Sequence, residues 1–462
     1  MIIEEIALPI TPLALLGRLR DQPGLAFVDG VTGSDGGRFT VIGFDPRSAL
    51  TIDADGGVST GFPRRERTAA DLQADPLAAL DRFLATLPRP EPGHPFPLRV
   101  GAIGYLAYEF SACLEPRVLR AADDLRLPRA VLALYDPLLV WDAGAQRYHI
   151  VSTAQHHVRD CRAKLLERAT RPAPYGEETR SVVTAVLQSN MTLEEYRDAI
   201  GRLHRHIAAG DVYQVNLTRR FTAPLRGDPV ELFTRLMRTH PMPRSAYFDA
   251  GDFQVVSNSP ELFLERRGRR VATRPIKGTR RRGRTAEEDV RLRHELATNA
   301  KERAEHVMIV DLERNDLGRI CLPGSVRVAS LAALETYPSL HHLVSTIEGE
   351  LRPDVSPGEI LRATFPSGSV TGAPKIRAME LIDTLEPHAR GVYTGALGII
   401  DGTGDLHLNL PIRTAVTMAG RAYFGAGGGI VADSDADAEH AETLLKLEAF
   451  LGVLGARAGC AA

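Results

Sequence analysis

The chain of 462 residues has little of what marks several protein classes. Its four cysteines, Cys113, Cys161, Cys321 and Cys460, lie far apart with no CxxC pair. That excludes a disulfide framework or a cysteine zinc site, and reduced thiols in a cytoplasmic protein are expected. An excess of one charge is also missing. Lys plus Arg number 56 and Asp plus Glu 58, a net charge of −2, so no global basicity draws the chain to nucleic acid or to a membrane surface. No apolar run is long enough to span a bilayer, and the opening MIIEEIALPI lacks the basic-then-apolar pattern of a secretory signal. There is no repeat of fixed period and no GxCxG glutaminase nucleophile motif. What is there, 44% hydrophobic and 25% charged residues, is the composition of an ordinary globular protein with a large core.

Residues 1–170 form an N-terminal region of short, alternating apolar runs broken by Gly, Pro and Asp. GRFTVIGFDPRSALTID and LRVGAIGYLAYEF read as strands with turns. A polar, proline-containing stretch at 171–188 reads as a connecting segment, and residues 189–455 form a second region. Asn190 or Thr192 is placed to cap a helix that Gly210 stops. VYQVNLTRRF, FQVVSNSPELFLERR, VYTGALGIID, LHLNLPIRTAVT and RAYFGAGGGIV read as strands. EEDVRLRHELATNAKERAEHVMIVDLERND carries one or two helices, and a last helix runs from about Asp435 to Leu454. The strands are not in βαβ order, so the class is α+β.

Several stretches carry chemistry. KERAEHVMIVDLE puts Glu302 and Glu305 on one helical face, and DADAEHAETLLKLE does the same for Glu439, Glu442 and Lys446. Each alone reads as a solvated face; together they are a candidate site for Mg²⁺, a hard cation that takes carboxylate oxygens. The glycines of FGAGGGIVADSD, at 425, 427, 428 and 429, let backbone approach a ligand and turn N–H groups toward an anion. Arg413 and Tyr393 are candidates to complete a carboxylate clamp. FPSGSVTGAPKIRAMELI leads through Pro374 into a helix N-terminus suited to negative charge. Glu261, after the proline bend of SNSPELF, is a candidate general acid. RPIKGTRRRG sets Lys277 among Arg274, Arg280, Arg281, Arg282 and, just beyond, Arg284; neighbouring cations and desolvation favour a neutral, nucleophilic amine.

In this order, GDVYQVNLTRRF, SPELF, RPIKGTRRRG, AEHVMIVDLERNDLGR, TFPSGSVTGAPKIRAMELI, GVYTGALG and FGAGGGIVADSDADAEHAETLLK resemble the chorismate-utilising enzymes. The resemblance is dense over residues 189–455 and looser before. It implies two large packed β-sheets flanked by helices, with the active site in a cleft. Family members that add water carry a lysine base where this chain has Gln214, so an ammonia-using member is implied. Members that make anthranilate read alanine where this chain has Lys277; PIKGT resembles those that aminate C4.

The roles implied follow. Lys277 adds to C2 of chorismate, Glu261 is the general acid for the C4 hydroxyl, and His342 stands near that hydroxyl. Ser369, Tyr393, Arg413, Gly425, Gly427, Gly428, Lys446 and Gln214 bind substrate. Glu305 and Glu442, with Glu302 and Glu439, hold Mg²⁺. The product is 4-amino-4-deoxychorismate, a precursor of p-aminobenzoate and folate, and the ammonia comes from a separate glutamine amidotransferase subunit. The alternatives are anthranilate formation, which PIKGT argues against, and a non-catalytic subunit that kept the fold. A nucleotide site at the glycine-rich stretch is weaker, because no P-loop lysine follows.

Overall fold

The structure is a computed structural model that describes residues 1–32, 38–62, 75–89, 96, 100–115, 119–172 and 187–455. Two large antiparallel sheets dominate it. The first has twelve strands, in the order Ile2–Ile6, Arg147–Ser152, Leu138–Asp142, Arg38–Gly43, Ala26–Thr32, Arg244–Asp249, Gln254–Ser259, Thr414–Met418, Arg421–Ile430, Gln214–Pro224 and Gln188–Ser189, with Gly372–Ala373 also paired to Gln214–Pro224. The second has eleven, in the order Ile276–Arg281, Leu340–Glu350, Arg270–Arg274, Leu262–Arg267, Leu406–Asn409, Ala396–Asp401, Gly101–Leu106, Ala130–Tyr135, Ser48–Ile52 and Val58–Thr60, with Arg327–Thr336 also paired to Leu340–Glu350. The fold is therefore the α+β arrangement of two packed sheets flanked by helices that the resemblance implies.

The sheets meet through one apolar layer. Val28, Val41, Phe248 and Val255 from the first pack with Ile103, Tyr105, Val131 and Ile399 from the second. Each sheet buries its other face under helices, as alternating strands with two apolar faces require. On the first, Leu15 and Leu16, Val158 and Leu165, and Phe233 and Leu236 do this from three helices. On the second, Leu80, Phe83, Val310, Leu317, Ile360 and Leu361 do it. Residues 1–170 and 189–455 each contribute strands to both sheets. Of the connecting segment, 173–186 lies outside the described residues.

Helix boundaries follow the capping chemistry. Thr192 caps Leu193–Ala208 in a box with Glu195. The acidic stretch holds two helices, Ala286–Thr298 and Ala300–Gly318. They part at Asn299, which caps the second by accepting from the Glu302 N–H. Cys113, Cys161 and Cys321 are free thiols; Cys460 lies outside the described residues.

Candidate active site

Lys277 lies on the edge strand Ile276–Arg281 of the second sheet, and its side chain reaches across to the first. A Cβ built on Gly429 would stand 3.0 Å from Lys277 Nζ and 2.6 Å from Gln214 Nε2. Both side chains thus use the space that the missing Gly429 side chain leaves. Burial pulls the Lys277 ammonium below its usual range; Glu305, Glu261 and Glu442 oppose this and Lys446 adds to it. The arginines of RPIKGTRRRG do not contribute as the sequence suggested. Arg274 pairs with Glu335, Arg280 with Glu302 at 2.7 Å, Arg281 with Glu288, and Arg282 with Asp289 at 2.8 Å. A strand points alternate side chains apart, so neighbours in sequence are spent on other carboxylates. Lys446, distant in sequence, is the cation that matters.

Glu261 follows Pro260 at the crossing from Gln254–Ser259 to Leu262–Arg267 and is 3% exposed. Its Oε1 lies at hydrogen-bond distance, 2.7 Å, from the Ser369 hydroxyl. Burial pushes its carboxyl up to about 7, with the charge of Glu313 adding and Ser369 and Lys277 opposing. His342, buried in the strand Leu340–Glu350, faces the Thr279 hydroxyl with Nδ1 at 2.9 Å, and its Nε2 has no partner. Burial and the nearby Arg413 hold this imidazole down to about 3, so it is neutral at physiological pH. Arg413, at a φ of 48°, pairs with no carboxylate among the described residues, and burial brings its guanidinium down to about 10. Gln214 is fully buried, yet neither amide atom has a partner. An unpaired buried amide is costly, which makes it a group awaiting a ligand.

The four glutamates come from two helices. Glu302 and Glu305 lie on Ala300–Gly318, and Glu439 and Glu442 on Ala436–Leu445, with Lys446 at its C-cap; the single last helix expected from sequence is thus two, parted at Lys446 and Leu447 before Glu448–Leu454. Burial raises the carboxyls of Glu305 and Glu439; Glu439 and Glu442 reinforce this at Glu305, and Glu442 at Glu439. Glu442 is lowered: Lys446, 2.7 Å away, and Lys277 outweigh its burial. Glu439 accepts from Ser434 at 2.8 Å. Glu302 gives one oxygen to Arg280, while its Oε2 is buried without a partner beside Gly278. Among the described residues, no three His, Cys, Asp or Glu side chains are gathered closely enough to hold a metal as they stand.

The glycine-rich stretch is a strand, as RAYFGAGGGIV reads in the sequence. Gly425, Gly427, Gly428 and Gly429 belong to the strand Arg421–Ile430 and pair with Arg220, Thr218, Leu217 and Asn216. Phe424 is the last residue paired to Thr414–Met418, so among the described residues 425–430 have an open edge on that side. Lys446 Nζ donates to the Gly427 carbonyl at 2.7 Å, which places that peptide on the open edge. Each glycine admits something different. The Tyr393 ring covers Gly425, Thr218 and the Leu217 carbonyl crowd Gly427, and Glu439 Oε2 stands 2.8 Å from a Cβ at Gly428. Gly425 therefore serves Tyr393, which burial pushes up to about 12, rather than an anion directly.

Three site residues were not singled out from sequence. Ser367 and Glu313 stand behind Ser369. Arg390 ties the site loop down by donating to the Val370 carbonyl at 2.8 Å, the Asn216 carbonyl at 2.7 Å and both oxygens of Glu386. Glu313 left one signal: it lies at helical spacing with the buried His306, Ile309, Val310 and Leu317, a carboxylate on an otherwise inward face.

Residues 32–452 match the family described as chorismate binding enzyme. Aminodeoxychorismate synthase component 1 of Salmonella typhimurium is 40% identical over 90% of this chain and 89% of its own length. Anthranilate synthase component 1 of Streptomyces coelicolor is 41% identical over 82% of this chain and 77% of its own length. The crystal structure of anthranilate synthase component I from Streptococcus pneumoniae superposes with a TM-score of 0.78 at 30% identity, covering 91% of this chain and 93% of that one.

Proposed function

Because the chain belongs to the chorismate binding enzyme family, we propose that it converts chorismate and ammonia to 4-amino-4-deoxychorismate, the precursor of p-aminobenzoate in folate synthesis. That it is a chorismate-utilising enzyme follows from the family and from relatives named aminodeoxychorismate synthase component 1. One observation carries the finer reading. The Lys277 amine stands beside Gly429 and Gln214, in space left by the missing Gly429 side chain, with burial and Lys446 favouring the neutral form, and this supports its role as the nucleophile.

Arg413, without a carboxylate of its own, and the open edge at Gly427–Gly429 hold the enolpyruvyl carboxylate, with Tyr393 packed behind the strand. Lys446 adds positive charge at the substrate carboxylates. Glu261, its carboxyl raised to about 7, keeps a protonated fraction near neutral pH and gives that proton to the departing C4 hydroxyl while neutral Lys277 adds at C2. Neutral His342 offers its free Nε2 to the same hydroxyl. Ser369 orients Glu261, and Gln214 is an amide that cannot activate water as a base. Ammonia adds at C4 and Lys277 leaves, restoring its amine. Blocking C2 directs the nitrogen to C4.

Mg²⁺ suits the acidic residues: Glu302 Oε2 is an orphaned buried oxygen, and Glu305 and Glu439 are buried carboxyls raised further by the charge of Glu442, which a divalent cation relieves. Glu305 and Glu442 would hold it with Glu302 and Glu439 in support, once Glu442 and Glu302 turn from Lys446 and Arg280. When bound, it supplies positive charge at the ring carboxylate of chorismate.

Free ammonia is mostly ammonium near neutral pH, and relatives are named as a first component. A glutamine amidotransferase subunit is the proposed supplier, in a heterodimer acting in the cytoplasm.

The test is product identity. The purified chain is incubated with chorismate, Mg²⁺ and ammonium salt at mildly alkaline pH, followed by mass spectrometry and fluorescence. A product that keeps the enolpyruvyl group and yields p-aminobenzoate with a lyase supports the reading. Fluorescent anthranilate with pyruvate overturns it in favour of the second reading, which the relative from Streptomyces coelicolor keeps in view.

A further inference from the structure

Behind Glu261, two serine hydroxyls and a second carboxyl form a continuous line. Ser369 Oγ lies 2.7 Å from Glu261 Oε1, Ser367 Oγ 3.0 Å from Ser369 Oγ, and Glu313 Oε1 2.8 Å from Ser367 Oγ. All four side chains are buried, none more than 6% exposed. Three hydrogen bonds need three hydrogens, and each hydroxyl supplies one. The third has to be an acid proton on one carboxyl or the other. If it sits on Glu261, both hydroxyls point toward Glu313; if it sits on Glu313, both point toward Glu261. A line with no acid proton leaves one contact without a hydrogen and two carboxylates facing each other in a buried site, which is unfavourable.

We propose that Glu313 is a positioning residue that shares one proton with Glu261 through Ser367 and Ser369, and so keeps the acid charged with the proton that the leaving hydroxyl takes. This rests on the general-acid role given to Glu261 above. In the shift, the Glu313 O–H bond breaks, each hydroxyl passes on its own hydrogen and receives another, and the Glu261 O–H bond forms. One proton crosses, both serines end unchanged, and Glu313 becomes the carboxylate. Once Glu261 has discharged to the leaving water, the pair carries two negative charges and regains a proton from the ammonium that forms as ammonia adds at C4. The cycle closes without an outside proton.

The surroundings agree with a proton resting mainly at Glu261. Glu313 accepts from the Gly368 N–H at 3.0 Å and the Thr273 hydroxyl at 3.3 Å, in addition to Ser367. Asp316, paired with Lys375, lies beyond it. Lys277 and Tyr393 face Glu261; Lys277 favours its carboxylate, and burial with the Glu313 charge outweighs it.

The test uses the full chain with chorismate, Mg²⁺ and ammonium, and two variants, Glu313→Gln and Ser367→Ala. The infrared carboxylic-acid C=O band of the resting protein is titrated alongside the pH dependence of kcat. In the wild type a band that Glu261→Gln abolishes should titrate with a midpoint near about 7. Glu313→Gln removes the like charge, so the midpoint and the alkaline limb of kcat should fall by on the order of one pH unit, a tenfold loss of proton affinity. Ser367→Ala keeps the charge and cuts the line, so both readouts should fall by a smaller step. If Ser367→Ala leaves both unmoved, Glu313 acts through charge alone and the shared proton is refuted. A uniform loss of rate with unshifted limbs in Glu313→Gln also refutes it. Should Glu313→Gln fail to fold, Ser367→Ala decides. The infrared midpoint is read without turnover, so it stands or falls separately from the product assignment.

Discussion

Gly429→Ala tests the placement of Lys277 with a single methyl group. The position carries no positive φ, so the backbone accepts alanine and the effect is steric. The new Cβ would stand 2.6 Å from Gln214 Nε2 and 3.0 Å from Lys277 Nζ. Ordinary contact lies near about 3.5 Å, so Gln214 must retreat by roughly 0.9 Å and Lys277 by roughly 0.5 Å. Both atoms end flexible side chains, which holds the loss of stability to the low end of overpacking, about 1 kcal/mol, or at most about 4 °C in Tm. Catalysis is less forgiving: a displacement of about 1 Å at a reacting group costs about 100-fold, so a shift of half that predicts about a tenfold fall in kcat. The assay is ammonium-dependent turnover of chorismate beside a thermal scan. Wild-type kcat in a folded Gly429→Ala protein would refute the placement, because the amine would then be working from somewhere other than where this cleft holds it. A large drop in Tm with proportionate loss of activity would likewise refute the claim that the methyl group acts on the amine.

Lys277→Ala should abolish formation of the aminated product while leaving Tm within about 2 °C, since it removes no core packing; measurable product by mass spectrometry would exclude a lysine adduct. Lys446 lowers the basicity of Lys277, so Lys446→Met should raise it and move the acidic limb of kcat to higher pH; a limb that stays or moves down contradicts the electrostatics. Chelation should abolish activity and Mg²⁺ restore it, with Glu305→Gln needing a higher Mg²⁺ concentration for half-maximal rate; chelator-resistant turnover would remove the metal from the scheme. Arg390→Met leaves the Glu386 carboxylate buried without its partner and should lower stability by about 3–5 kcal/mol, with partial recovery on adding Glu386→Gln, both read by thermal denaturation.

Much of this was legible in the sequence because it is local. Thr192 caps a helix and Asp435 begins one where their side chains and the runs after them say they should. VYQVNLTRRF, FQVVSNSPELFLERR and VYTGALGIID each hold strands where they read as strands, at Gln214–Pro224, Gln254–Ser259, Leu262–Arg267 and Ala396–Asp401. What failed were inferences from proximity along the chain. The arginines beside Lys277 are consumed by Glu335, Glu302, Glu288 and Asp289, none of which is adjacent in sequence to the lysine. The four glycines read as backbone freed to approach an anion, since a residue without a side chain leaves room for a ligand. Here each one is matched to a particular neighbour across a sheet. Glu313 was hidden in a helix whose hydrophobic face is weakly marked, so that a carboxylate on that face did not stand out.

The interleaving of the two sheets also bears on how the chain is made. In the second sheet, Gly101–Leu106 joins Leu262–Arg267 only through Ala396–Asp401 and Leu406–Asn409. In the first, Gln214–Pro224 reaches the rest only through Arg421–Ile430. A nascent chain therefore carries open sheet edges until residues near 430 leave the ribosome, tens of seconds after the first strands at about 5–20 residues per second. Those unpaired edges are the segments a chaperone has to shield, and slower elongation late in the message should lower the soluble yield more than slow elongation early on.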